Sequence, residues 1–437
     1  MRGMLSQRAD EIILTADWVL PISSPPIRRG CVRVLGERIV EVGTEMALSG
    51  SRPNEQRIDL GPSALLPGLV NAHTHLELTM FRGLFEDLDF FTWIRRLTAM
   101  KEKLSEADFL ASARRGALEA LRSGVTTVGD CASSGQVARA ISEMGLRGIV
   151  FQEVFGPDVA QCEASMAGLR SALERQAPHA GSRVRLGVSP HAPYTVSERL
   201  FREVVGLALD RGLPVAVHAA ESRAESTLIR HGTGPIADRL RERGIRWDAP
   251  GVSPIQYLAR TGLLAARPLL IHAIDVDDRD LETIRETRST IAHCPRSNAK
   301  LCHPVAPLLE TLAARVRVGF GTDGAVSSNN CDLLEEARFA VLAQRSRRDG
   351  PLEGRESLDA RAALKLLTLG GAEALGLERE IGTLEQGKRA DLTAVDLSRL
   401  QHGPEATPEA AVVFSASAGD VVLTMVDGKL LWRRSAG

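Results

Sequence analysis

The sequence predicts a (β/α)₈ barrel accompanied by a small β-sandwich that both chain ends build together. Three observations point there. The middle of the chain alternates short apolar runs with amphipathic stretches. The two ends alternate apolar and polar residues, and nearly every apolar run of the middle stops on His, Asp or Glu.

At the N-terminal end, EIILTADWVL and CVRVLGERIVEVG are separated by the turn-rich SSPPIRRG. At the other end GTLEQGKRADLTAVDL is followed, after a loop, by VVLTMVDGKLLW. Period-2 alternation punctuated by Gly and Pro marks antiparallel strands. Two such ends predict one β-domain from residues 1–62 and 383–437, enclosing a barrel of residues 63–382.

The middle supplies the strand candidates ALLPGLVNAHTH, GVTTVGD, GIVFQEVFG, RVRLGVSPHAP, LPVAVHAAE, PLLIHAIDV, STIAHCPRSN and VRVGFGTDG. Near-continuous Val, Ile and Leu suits strands buried on both faces of a parallel sheet. Amphipathic stretches such as EADFLASARRGALEALRSG and SERLFREVVGLALDRG lie between them. This is the alternation that a closed barrel requires. An open doubly wound sheet is the alternative, but it would carry a Gly-rich phosphate turn after its first strand, and none is present.

Bulk properties fit an enzyme of this class. The chain of 437 residues has room for a barrel plus an appendage. Its 54 Lys+Arg and 55 Asp+Glu nearly cancel, so no field of one sign draws it to nucleic acid or an anionic membrane. Six scattered cysteines without a CxxC pair read as reduced thiols. Charges interrupt the first residues where a signal peptide would be apolar, and no run of 18 apolar residues offers a membrane span. The expected location is cytoplasmic.

Function is read from the strand ends. His73 and His75, Asp130, Glu153, His191, His218 with Glu221, His272, His293 and Asp323 all fall there, and barrel active sites are built at the C-terminal ends of the strands. Residues i and i+2 of a strand face the same side, so both imidazoles of His73-Thr74-His75 can bind one metal. His218 and Asp323 complete a set suited to zinc or ferrous iron. Glu221, three residues past His218, is placed to act as general acid/base beside the metal, and His272 to hold the attacking water or take its proton. Each has a plainer reading: a helix N-cap for Asp323, core histidines for His218 and His272, a solvated loop carboxylate for Glu221. The fourth strand offers His191 and no Lys, which favours a single metal and a substrate contact for His191. His293 is open between structural and substrate-facing roles. His179, His231, His303 and His402 read as surface residues.

PGLVNAHTH, PHAPYT, HAAES, His272, HCPRSN and GTDG, in that order, resemble the amidohydrolase superfamily. The resemblance is to its deaminase and chlorohydrolase branch, with guanine, adenosine, S-adenosylhomocysteine, aminofutalosine and triazine hydrolases. It covers essentially the whole chain, since GTLEQGKRADLTAVD resembles the same branch's C-terminal segment. It implies one divalent metal, zinc ahead of iron, on His73, His75, His218 and Asp323. Glu221 would be the proton shuttle, with His272 and Asp323 assisting. It also implies substrate contacts from His191, and from Glu102 and Arg82 in the segment after the first strand. Glu77, two residues past His75, looks most like the aminofutalosine deaminases. The expected activity is hydrolytic deamination of an aminopurine nucleoside, 6-amino-6-deoxyfutalosine first. S-adenosylhomocysteine, methylthioadenosine or adenosine comes next, then an s-triazine or guanine. A barrel of this ancestry that has lost catalysis and serves assembly would have a broken ligand set, and this set is complete. A homodimer is common among such proteins, though nothing in the chain marks an interface.

Overall fold

The computed structural model describes residues 11–47, 55–347, 357–399 and 406–434. His402 and residues 1–10, part of the stretch bearing on the signal-peptide expectation, lie outside them. Strands β1 (Glu11–Val19), β2 (Ile27–Leu35), β3 (Arg38–Thr44), β4 (Glu55–Asp59) and β5 (Ser63–Pro67) precede the barrel. The barrel strands are β6 (Leu69–Thr74), β7 (Val125–Ala132), β8 (Arg147–Val154), β9 (Val184–Pro190), β10 (Ala216–Ala219), β11 (Leu269–His272), β12 (Thr290–His293) and β13 (Arg317–Phe320). Then come β14 (Leu392–Asp396), β15 (Val421–Val426) and β16 (Lys429–Arg433).

β6–β9 form one parallel four-stranded sheet and β10–β13 another. Isolated parallel bridges join them at Val188–Val215 and Thr74–Asp323, which closes the eight strands into a barrel. Val70 and Ala72 of β6, Phe151 of β8, Ile271 of β11 and Ala292 of β12 share one buried cluster. β6, β8 and β11 are not sheet neighbours of one another, so these side chains meet across the barrel interior. Helices cover the outside. Glu106–Arg122 begins at a capping box between Ser105 and Asp108, and Glu198–Arg211 stops where Gly212 turns left-handed at φ +63°, a conformation that glycine adopts without steric cost. Among the described residues no helix is long and apolar enough to cross a membrane.

The strands of both chain ends form a single eight-stranded sheet in the order β16-β15-β14-β5-β1-β2-β3, with β4 on β1. It has its own apolar core, including Leu14, Val32, Leu65, Leu392 and Leu423. One strand differs from the sequence reading. The run ALLPGLVNAHTH divides at Gly68, with β5 pairing β1 and β14 of the terminal sheet and β6 pairing β7 of the barrel. A Cβ at Gly68 would lie 2.2 Å from the Thr126 side chain, so only glycine lets the chain pass between the two sheets.

Arg147, the first residue of β8, ties barrel to terminal sheet. Its guanidinium is buried, bonding Asp391 at 2.7 Å and Asp427 at 2.5 Å. Removing one partner from a buried ion cluster leaves uncompensated charge, at a cost of about 3–5 kcal/mol. Arg147→Met is therefore expected to lower unfolding free energy by about that much in urea titration. A loss below about 1 kcal/mol would show that the two carboxylates do not depend on this cation.

Candidate metal centre and active site

The strand-end residues converge at one mouth of the barrel. His73 is fully buried, and its Nε2 lies 3.4 Å from Asp323 Oδ1, while His75 Nε2 lies 3.5 Å from the same oxygen. The His218 ring centroid is 5.1 Å from that of His73 and 5.7 Å from that of His75. His73, His75 and His218 each offer a ligand atom within 4.8 Å of the others, and so do His73, His272 and Asp323. A third such group, Glu153, His191 and His218, adjoins them.

Two of the rings are aimed by their second nitrogen. His218 Nδ1 donates to the His191 carbonyl at 3.1 Å, and His272 Nδ1 to Asn298 Oδ1 at 2.8 Å. In both, Nε2 is left facing the site. Asp323 receives Ser297 Oγ at 2.5 Å and Ser327 Oγ at 2.9 Å on Oδ2, and its Oδ1 receives the Gly324 N–H at 2.7 Å. His272 at φ +74° and Asp323 at φ +57° both hold left-handed backbone. Non-glycine residues there carry about 1–3 kcal/mol of strain, a feature that clusters at functional sites.

Burial sets the protonation states. It pulls the His73 imidazole down to about 4, and lowers His218 as well. The lone pairs of these rings stay available. Burial opposes charge on Asp323, but the neighbouring His73, His75 and His272 rings outweigh it and hold the carboxyl well below its usual range. Neither ring nitrogen of His73 has a hydrogen-bond partner among the described residues. An unpartnered buried polar group is costly, and a cation shared with Asp323 would satisfy it. The donor chemistry fits one divalent metal on His73, His75, His218 and Asp323.

Glu221 Oε1 stands 3.5 Å from His272 Nε2. The loop that carries it is held by Glu225, whose carboxylate receives the backbone N–H groups of Ala220 and Glu221, both at 2.9 Å. Burial pushes Glu225 up to about 8. Ser222-x-x-Glu225 has the spacing of a capping box, the signal by which sequence could have found it. Ser297 and Asn298 of HCPRSN lie on the short helix Pro295–Lys300 and orient Asp323 and His272.

Other expectations are redistributed. His303, read as a surface residue, points inward: its side chain is 8% exposed and its Nε2 is 3.8 Å from Glu221 Oε1. Phe90 packs against its ring and shields it from solvent. Asp130 receives the Leu76 N–H at 2.7 Å and fixes the segment after His75. Glu77 is consumed by the backbone and hydroxyls of Ser133 and Ser134. Arg82 bonds Glu119 on the surface, and Glu102 sits exposed at the end of the helix Phe90–Lys101. His191 lines the inner cavity of about 180 Å³ with His75, Glu221, His272 and Asp323, under Phe90 and Trp93 of that helix.

His293 does not line this cavity. It is buried against Phe320, and burial lowers its imidazole to about 3. The native ring thus stays neutral while the unfolded chain protonates below its ordinary value of 6.5, so stability falls as pH drops from 6.5 towards 3. His293→Gln is expected to reduce the stability lost between pH 7.5 and 5 by about 2 kcal/mol in urea unfolding. Equal losses in variant and parent would refute this.

The chain also has relatives. The sequence model of the Amidohydrolase family matches residues 64–431. The 5-methylthioadenosine/S-adenosylhomocysteine deaminase of Moorella thermoacetica is 34% identical over 97% of this chain and 94% of that protein. The 5′-deoxyadenosine deaminase of Methanobrevibacter smithii is 32% identical over 97% of this chain and 93% of its own. An adenosine deaminase from Xanthomonas campestris, solved with bound zinc, superposes with a TM-score of 0.84 at 28% identity, covering 96% of this chain and 92% of that one. With the family match running through the whole barrel into the terminal sheet, and relatives this similar along nearly their full length, the chain belongs to the amidohydrolase family.

Proposed function

We propose that the protein is a metal-dependent hydrolytic deaminase of an adenine nucleoside altered at its 5′ position, releasing ammonia. Family membership and the deaminases among its relatives support hydrolysis of a C–N bond. The observation that carries the finer reading is the pairing of Glu221 with His272 beside the four-residue metal set. The relatives' names favour methylthioadenosine, S-adenosylhomocysteine or 5′-deoxyadenosine. 6-Amino-6-deoxyfutalosine ranks behind them, because Glu77, which suggested it, is tied to Ser133 and Ser134 rather than facing the cavity.

His73, His75, His218 and Asp323 would hold the metal, zinc ahead of iron. When bound, it supplies Lewis acidity that makes water nucleophilic near neutral pH. The protein's own groups do the rest. His272 Nε2, fixed by Asn298, orients the attacking water towards the amine-bearing ring carbon, and Asp323 accepts its proton. Glu221 delivers a proton to the adjacent ring nitrogen as the water oxygen bonds to carbon. When the C–N bond breaks, Asp323 returns its proton to the departing nitrogen, which leaves as ammonia, and Glu221 takes the hydroxyl proton as the carbonyl forms, which restores both groups. His303, close to Glu221, limits the positions that carboxylate can adopt. Phe90, Trp93, Phe155 and Tyr194 give the cavity an aromatic wall suited to a flat heterocycle.

Three measurements test this reading. Ammonia release from the purified protein is expected with at least one of methylthioadenosine, S-adenosylhomocysteine, 5′-deoxyadenosine, adenosine and 6-amino-6-deoxyfutalosine. No turnover of any of them would sink it. Glu221→Gln is expected to lower kcat by about 10²–10⁴-fold while the protein keeps about one equivalent of metal by elemental analysis. Chelator treatment should abolish activity and added zinc restore it. A metal-free protein with full activity would refute the mechanism.

A further inference from the structure

The inner cavity opens outward into a second of about 410 Å³, and Phe90, Ile94, Thr98, His191 and Tyr194 line both. The outer chamber is walled by the helix Phe90–Lys101 on one side and the helix Pro235–Glu242 with its C-terminal residue on the other. Three guanidinium groups reach it, Arg95 from the first wall and Arg239 and Arg243 from the second, together with one carboxylate, Glu102.

Among the described residues, none of the three arginines has a carboxylate within ion-pair distance. Their neighbours do: Arg241 pairs with Asp238, and Arg246 with Asp248. The local sequence therefore has acids to spare for surface pairing, yet the cations turned towards the chamber are left without one. The chamber carries two more positive charges than negative. Guanidinium is the side chain best shaped for bidentate capture of a carboxylate or phosphate. A ring bound with its amine at the metal centre must send its 5′ substituent outward past His191 and Tyr194.

We infer that the outer chamber is an anion subsite, with Arg239 and Arg243, assisted by Arg95, binding a negatively charged group at the far end of the substrate's 5′ substituent. The inference rests on the nucleoside deaminase reading. It narrows the substrate to nucleosides with a charged tail and assigns the selection to the helix Pro235–Glu242 and its cap Arg243, not to the metal set.

Three probes test it. 5′-Methylthioadenosine has a neutral tail, S-adenosylhomocysteine adds a carboxylate and an ammonium to the same thioether, and adenosine 5′-monophosphate carries a phosphate. The wild-type protein is expected to favour one charged probe over methylthioadenosine in kcat/KM. In Arg239→Ala/Arg243→Ala that preference ratio should fall by about tenfold or more, and the probe affected names the anion. A ratio moving less than about twofold for both charged probes would overturn the subsite. If the wild type deaminates none of the three, the deaminase reading fails for these nucleosides, and calorimetric titration of the same compounds decides the subsite alone. There, a charged probe losing about tenfold in affinity in the double variant upholds it, and equal affinities refute it.

Discussion

Among the backbone hydrogen bonds that span the seams of the barrel, two are made by residues of the site. Between β9 and β10 the His218 N–H donates to the His191 carbonyl at 2.9 Å, and between β13 and β6 the Asp323 N–H donates to the His73 carbonyl at 3.0 Å. A closed parallel barrel leaves no free strand edge, so each strand end is fixed by neighbours on both sides. A Cβ at Gly321 would stand 2.9 Å from the His73 backbone, which shows how closely β13 must approach β6 for the seam to form. The imidazoles and the carboxylate meet because closure brings them together.

That closure sustains an arrangement unfavourable on its own terms. His73 lacks partners on both ring nitrogens, His272 and Asp323 hold left-handed backbone, and Ala220 and Ala273 beside them do the same. Unpartnered buried polar groups and strained residues persist only where the surroundings over-determine them. Here the surroundings are identifiable. Glu225 holds the Glu221 loop from below, and Ser297, Asn298 and Ser327 hold Asp323 and His272 from the side. These hydrogen bonds fix the site through the protein's own groups, the kind of preorganisation that electrostatic catalysis requires.

The barrel and its terminal β-structure were legible because both signals are periodic. Uniform apolar runs mark the strands, and polar residues at their C-terminal ends mark the mouth. His73, His75, His218, His272, Glu221 and Asp323 could be found that way since each ends or follows such a run. The partners that aim them carry no periodic signal. Asn298 and Ser297 sit on a six-residue helix within a Pro-containing segment, and turn residues of that kind read alike whatever they face. His303 was misplaced for the same reason: its inward direction comes from packing against Phe90, far away in sequence. The split at Gly68 was equally hidden, because β5 and β6 are both apolar and only the destination of each sheet separates them.

The contrast between floor and roof bears on how such a site changes substrate. The floor is made of strand ends locked by barrel closure, and little there can vary without loss of the ligand set. The roof is made of two helices and Tyr194. Phe91 from one helix and Tyr194 pack against the Ile236, Ala237 and Leu240 cluster of the other. This contact is apolar and non-directional. Residues on the chamber side of that contact, such as Arg95 and Arg239, can therefore be exchanged without disturbing the packing on its far side. The chamber arginines thus lie on surfaces that the metal centre does not touch, and exchanging them leaves the ligand set in place.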